Sequence, residues 1–359
     1  MVKQKLSGNL LVSISALLWG TSFVAIEWGF RESDIDPLIF VFLRFGVATA
    51  LFLPLAFFLV KNKKKLLVTK EIIIIGLFNA LSFLCQFIGQ QYTTAGKASL
   101  FVNFYAIIVP LLAPLILPEK YTWRVMVGAI MGFTGAFLVT TNLSFANFRF
   151  KSLSLINSSE ISISQSNGLI FSNLGPSMVV GDLLTLGSGI AWTLYILASK
   201  KFLEKEKQVS GLDTFFGTIV WTTIFLTLIV PFVFIYKTWH NIISEFNWQV
   251  IVSILYLAIV CTMGAFAIYM IGLKKAEAGE SVIFMFLEVV VAFLLSWILF
   301  DTIPKVWESV GASMIFLAIL VVSLKLPKNM KRSFENADLQ NNARKTPRKY
   351  YKNNSSTLK

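Results

Sequence analysis

Glu288 stands inside a stretch, residues 279–300, that is otherwise almost wholly apolar after its first few positions. A carboxylate at bilayer depth costs roughly 2.5–3.5 kcal/mol on insertion scales, so it turns to a cavity or to a partner. In a cavity it could bind a cationic group or carry a proton. Against a partner it would be a hydrogen-bonded acid tying two helices together. Asn103 and Tyr105 lie at a similar depth in the stretch 96–117, and Gln86 and Gln90 share one helical face of 71–91. Trp19 and Trp192 fall well inside their apolar stretches rather than at the rims where membrane tryptophans gather, and Tyr195 follows on the same segment as Trp192. Glu288, Tyr105, Asn103, Trp19, Trp192, Gln86, Gln90 and Tyr195 therefore form the candidate binding set. For Asn103 the alternative is a plain interhelical hydrogen bond, and for the two tryptophans it is packing against Gly20 and Ala191. Arg44 could meet an anionic ligand or pair with a carboxylate such as Glu27.

The elements that would carry these residues are membrane helices. Apolar residues make up 56% of the chain and charged ones 14%, against an apolar share of roughly 45–50% in soluble domains. Ten stretches approach the roughly 20 residues needed to cross the hydrocarbon core: 8–30, 37–60, 71–91, 96–117, 122–142, 181–203, 212–236, 249–273, 279–300 and 305–327. Runs such as Ile72 to Leu77 are continuous and lack the alternation of barrel strands, so the expected fold is an all-α integral membrane bundle of ten transmembrane helices. The first stretch is too long for a signal-peptide core and is expected to be retained. Cys85 and Cys261 both fall inside spans, giving neither a disulfide framework nor a metal-binding spacing.

Orientation follows from the basic residues. With the N-terminus inside, 24 Lys and Arg residues fall in inner segments and six in outer ones. Both termini are thus expected in the cytoplasm, with the net charge of +13 facing anionic lipid rather than nucleic acid. The polar segment 143–180 is an external linker, with glycosylation-like patterns beginning at Asn142 on its border and at Asn157 within it, and 328–359 is a basic cytoplasmic tail too poor in apolar residues for a core.

Two blocks repeat. At an offset of 173, Gly8, Ser15 and Trp19 match Gly181, Ser188 and Trp192; at 183, Ala95-Gly96, Phe101, Gly128-Ala129 and Met131 match Ala278-Gly279, Phe284, Gly311-Ala312 and Met314. The second offset also pairs Tyr105 with Glu288. Because five spans is an odd number, residues 1–142 and 181–327 would be two inverted five-helix repeats. The segment Ser15-Ala16-Leu17-Leu18-Trp19-Gly20-Thr21-Ser22-Phe23, with Arg44, Glu119 nine residues before Gly128-Ala129, and Leu287-Glu288, resembles the drug/metabolite transporter superfamily, specifically its EamA-type members. Thr302 stands where the second half would carry the equivalent of Glu119, and Val289 follows Glu288 where the family often has proline, which suggests a straighter ninth span.

The resemblance implies a secondary transporter moving a small-molecule substrate, such as an amino acid or related amine, by alternating access in a bacterial inner (plasma) membrane. Export leads, and uptake or exchange is the alternative. Glu288 makes proton coupling a candidate, no cofactor or metal is expected, and membrane lipids are the surrounding partner. The face of Gly128, Gly132 and Gly135 would admit a helix of the same bundle or of a second copy in a homodimer. A membrane-embedded enzyme is the different-class alternative, weakened because the one histidine, His240, sits in an outer loop and no nucleotide-binding glycine loop occurs.

Overall fold

A computed structural model describes residues 2–61, 63–93, 95–120, 122–141, 178–300 and 306–323. Their helices are α1 (Val2–Glu32), α2 (Pro37–Leu59), α3 (Lys63–Leu67), α4 (Lys70–Gln90), α5 (Ala95–Val102), α6 (Tyr105–Ile116), α7 (Trp123–Thr141), α8 (Met178–Lys205), α9 (Gly211–Thr227), α10 (Val230–Val233), α11 (Trp239–Ser244), α12 (Trp248–Tyr256), α13 (Ala265–Lys275), α14 (Ala278–Met285), α15 (Leu287–Phe300) and α16 (Val306–Ser323). A π-helical segment, Leu257–Gly264, joins α12 to α13. Residue 302, the linker's glycosylation-like sites and the basic tail lie outside the described residues.

Local chemistry sets the helix starts. Asp36 accepts the amide of Leu38 ahead of Pro37, whose missing N–H costs nothing in the first turn. Ser210 and Asp213 exchange reciprocal side-chain-to-backbone bonds at α9, while Asn247 accepts the amide of Val250 at α12.

The chain is an all-α, multi-pass membrane bundle. Eight stretches among the described residues are long and apolar enough to cross a membrane. In the two other expected segments, 122–142 and 305–327, the described apolar helices Trp123–Val139 and Ser309–Ser323 are shorter. Large apolar side chains such as Phe58, Leu115 and Ile298 point outward, as they must when the surroundings are lipid rather than water. Inside, α4 packs chiefly on α8 and α1 on α13.

Glycines permit these approaches. A Cβ on Gly89 would lie 2.8 Å from the Gly181 carbonyl oxygen, and one on Gly272 would lie 2.9 Å from that of Gly8. Gly128, Gly132 and Gly135 are covered from within the same chain, by Val322, Phe286 and Gly311 respectively. The small-residue face is therefore an intramolecular contact and does not supply a homodimer surface.

Two spans are interrupted at matched places. α5 ends at Val102 and α6 begins at Tyr105; α14 ends at Met285 and α15 begins at Leu287. The ninth span is thus interrupted at Phe286, although no proline follows Glu288. Each break leaves backbone groups without their regular helical partners beside a polar side chain. The packing contributes as well: Gly20 of α1 sits so close that a Cβ there would be 2.8 Å from the Glu288 carbonyl oxygen.

The loops gather at two ends. At one end Lys5 pairs with Glu277, the carboxylate of Glu119 meets the start of α14, Lys205 pairs with Glu71, and Lys274 reaches the Lys207 carbonyl. At the other, Glu27 pairs with Arg31 and Tyr236 donates to Asp36. The basic-rich loops that the sequence assigns to one side therefore do meet at one end of the bundle.

Candidate functional site

The two helix breaks face each other. Tyr105, the first residue of α6, donates its hydroxyl to Glu288 Oε1 at 3.4 Å, and Asn103 Nδ2 donates to Glu288 Oε2 at 3.3 Å. These bonds are longer than the usual 2.5–3.0 Å for O–H···O and 2.7–3.2 Å for N–H···O, so the carboxylate is held loosely. Asn103 also donates to the Ser99 carbonyl at 2.9 Å, while its own side-chain oxygen is buried without a partner. Tyr105 and Glu288, equivalent at the offset of 183, are thus in direct contact.

The matched tryptophans converge in the same way. Trp19 and Trp192 meet edge to face with ring centres 5.4 Å apart. Trp19 Nε1 donates to the Cys261 carbonyl at 2.8 Å, which fixes its ring to the π-helical segment. Tyr195 lies 4.5 Å behind Trp192, with its hydroxyl buried and unpartnered. The tryptophans, Ser22, Phe23, Ser82, Phe83, Gln86, Val102, Tyr105 and Glu288 line one cavity. Its volume is about 20 Å³, enough for a water and too little for a metabolite.

Of the candidate residues, Glu288, Tyr105, Trp19, Trp192 and Gln86 face this cavity. Asn103 reaches it through Glu288, and Tyr195 backs its wall. Gln90 is turned elsewhere, donating to the Phe23 carbonyl at 2.7 Å and so tying α4 to α1. Arg44 does not pair with Glu27, which is taken by Arg31 and by the amide of Ala95 at 2.8 Å. Its Nε donates to Thr262 Oγ1 at 2.9 Å instead, and its guanidinium carbon lies 4.7 Å from the centre of the Phe83 ring.

Sequence reasoning missed Phe83, Phe266 and Tyr269. Phe266 touches Trp19, Trp192, Phe45 and Phe83, and Tyr269 lies 5.0 Å from Trp19. A signal was available: the offset of 183 pairs Phe83 with Phe266 and Gln86 with Tyr269. The π-helical segment carried no such signal, because nothing in Leu257–Gly264 breaks a regular pattern. Such segments nevertheless concentrate at functional sites, and this one presents both the carbonyl that Trp19 holds and the hydroxyl that Arg44 holds.

At the basic-rich end, Glu119 accepts the amides of Ala278 and Gly279, at 2.6 and 3.0 Å, capping α14. Burial holds its carboxyl above the usual range, against the pull of those amides and of the Lys200 charge. At the opposite end Glu27 accepts the amide of Ala95, the repeat equivalent of Ala278. Among the described residues, no three His, Cys, Asp or Glu side chains are placed to hold a metal ion.

The model of the EamA-like transporter family matches residues 6–141 and 179–324. An uncharacterized transporter of Archaeoglobus fulgidus is 23% identical, the alignment covering 88% of this chain and 97% of the relative. The uncharacterized transporter YyaM of Bacillus subtilis is 23% identical, covering 79% and 84% respectively. A solved crystal structure shares the fold with a TM-score of 0.64 at 17% identity, covering 88% of this chain and 97% of that one. With the family model accounting for well over half of its length, and with the multi-pass helical bundle described above, the chain belongs to the EamA-like transporter family.

Proposed function

We propose that this protein is a secondary transporter that moves a small metabolite bearing an ammonium group, an amino acid or related amine, by alternating access between two inverted five-helix repeats. The observation that carries this reading is the convergence of repeat-equivalent residues, Tyr105 with Glu288 and Trp19 with Trp192, on one small cavity. A site shared by two inverted halves is where rocking one half against the other changes access without moving the site.

The chemistry of the walls selects the ligand. Glu288 supplies a carboxylate whose two long hydrogen bonds can be exchanged for a shorter, charge-assisted bond to an ammonium. Trp19 and Trp192 supply the ring faces that attract a cation once water is excluded. Asn103 and Tyr105 keep the carboxylate aimed at the cavity. The small volume means that a substrate is accommodated only when the bundle parts around the site. The contacts that would part include Lys5 with Glu277 and Glu119 with α14 at one end, and Thr93 with Asp182 at the other.

In this scheme the ten spans are the repeats 1–142 and 181–327, joined by an external linker at 143–180, with both termini and the tail 328–359 in the cytoplasm. Glu288 alternates between a proton and the ammonium group, so an inward proton drives export. Counterflow of labelled amino acids and amines in proteoliposomes tests the reading. Wild type should show saturable exchange that varies with pH. Glu288→Gln keeps size and most hydrogen bonding but cannot titrate, so a correctly inserted variant should lose at least about tenfold in rate, the loss of one charge-assisted bond. Equal rates across pH for both proteins would refute the assignment of Glu288.

A further inference from the structure

Arg44 is fully buried at the heart of the bundle, yet Nη1 and Nη2 have no hydrogen-bond partner. Only Nε is engaged, by Thr262. Among the described residues no carboxylate lies within 4.0 Å of the guanidinium. The rings of Phe83, Phe87 and Phe45 surround it, with centres 4.7, 5.8 and 5.5 Å from the guanidinium carbon. Ring faces attract the cation but accept none of its four free N–H bonds in the plane where they point. A buried cation with its outer fork unmatched is costly, and such groups in membrane spans belong to ligand pathways.

Phe83 connects this fork to the cavity. One side of its ring lies beneath the guanidinium, and Phe83 also lines the cavity beside Trp192, 5.7 Å away. The same side chain therefore touches both the guanidinium and the cavity.

We propose that Arg44 is a carboxylate-binding site and that the transported molecule therefore carries a carboxylate in addition to its ammonium group. The fork shape argues for a carboxylate: with Nε committed, Nη1 and Nη2 offer parallel donors that match the two oxygens of one planar group. A single guanidinium in apolar walls neutralises one negative charge, which disfavours a phosphate dianion. The second half of the proposal rests on the reading of Glu288 given above, since it is the pair of opposite charges at Arg44 and Glu288 that selects an amino acid over an amine.

The Arg44 site is tested apart from transport. Purified protein is titrated with sodium formate, with sodium chloride at equal ionic strength as the control, and its melting midpoint is followed. Wild type should show a saturable rise of about 2 °C with formate. Arg44→Lys, which keeps the charge but loses the fork, and Arg44→Gln should both lose it. A response in wild type no greater than that to chloride overturns the site even if neither variant folds, and so does an undiminished response in a folded variant. Counterflow then compares a mixture of amino acids with the corresponding decarboxylated amines, and acids should be preferred by about tenfold, falling toward parity in Arg44→Lys. Equal transport of acids and amines by wild type overturns the inference while leaving the transporter reading intact. Formate binding that depends on Arg44, with transport of neither class, overturns the transporter reading and leaves the site standing.

Discussion

The tryptophan pair shows how two identical side chains at equivalent positions can be held by different forces. Trp19 is fixed by a hydrogen bond to the Cys261 carbonyl as well as by its ring contacts, whereas Trp192 is held by rings alone among the described residues. Trp19→Phe should therefore lower stability by about 1–2 kcal/mol beyond the loss of ring area, because a buried carbonyl loses its donor. Trp192→Phe should cost less, and thermal midpoints of the two purified variants make the comparison; equal losses would show that the bond to Cys261 carries little. Much of this residue-level picture was legible in the sequence. Glu288, Asn103 and Tyr105 stood out because polar groups in apolar stretches are expensive, and the repeat paired two of them. Gln90 misled because helical spacing tells which face a residue shares, not which neighbour that face meets. Arg44 misled because pairing with Glu27 assumed a free acid, and Glu27 was already taken by Arg31 and Ala95.

Helix interruptions are what the sequence disclosed least. Nothing in Val102 to Tyr105 or Met285 to Leu287 resembles a breaker, and the prolines of α6, Pro110 and Pro114, lie beyond its break rather than at it. Tight packing accompanies both breaks, with α1 pressed on α15 at Gly20 and α8 on the end of α5 at Gly189. The capping of α14 by Glu119 gives a test at this scale. Its carboxyl is held above the ordinary range by burial, so the folded protein binds that proton more tightly than the unfolded chain does. The stability it contributes is fully present below the unfolded value, about pH 4.3, and is lost as pH rises through the folded value. Glu119→Gln should remove this component, so the wild type should gain on the variant as pH is lowered across that interval. Melting midpoints at several pH values would measure the difference, and a difference independent of pH would show that Glu119 does not titrate as its burial implies.

At the scale of the whole molecule, hydropathy and charge went furthest. The helical class, the places of the long spans and the grouping of basic loops at one end were all readable, because lipid imposes length and polarity on every segment that crosses it. What no pattern could give is the exchange of partners between halves: α1 packs on α13, and α4 on α8. Orientation is open to direct measurement. A cysteine replacing exposed Lys61, in a background lacking Cys85 and Cys261, should react with a membrane-impermeant reagent only after the cytoplasmic side is opened. Labelling from outside in intact cells would reverse the assignment.

The contact of Gly8 with Gly272 also sets a clock. About 264 residues separate the two glycines, and at about 5–20 residues per second a ribosome needs on the order of 13–50 s to make the intervening chain. Throughout that interval α1 lacks its main packing partner, which is not yet synthesised. Its small-residue face is then open to any helix that passes, including those of other nascent proteins. Gly89 waits a shorter time for Gly181, so α4 and α8 can dock first and present a surface onto which α1 and α13 close last. Assembly would then run from the middle of the polypeptide outward, and the first helix to be made would be among the last to find its place.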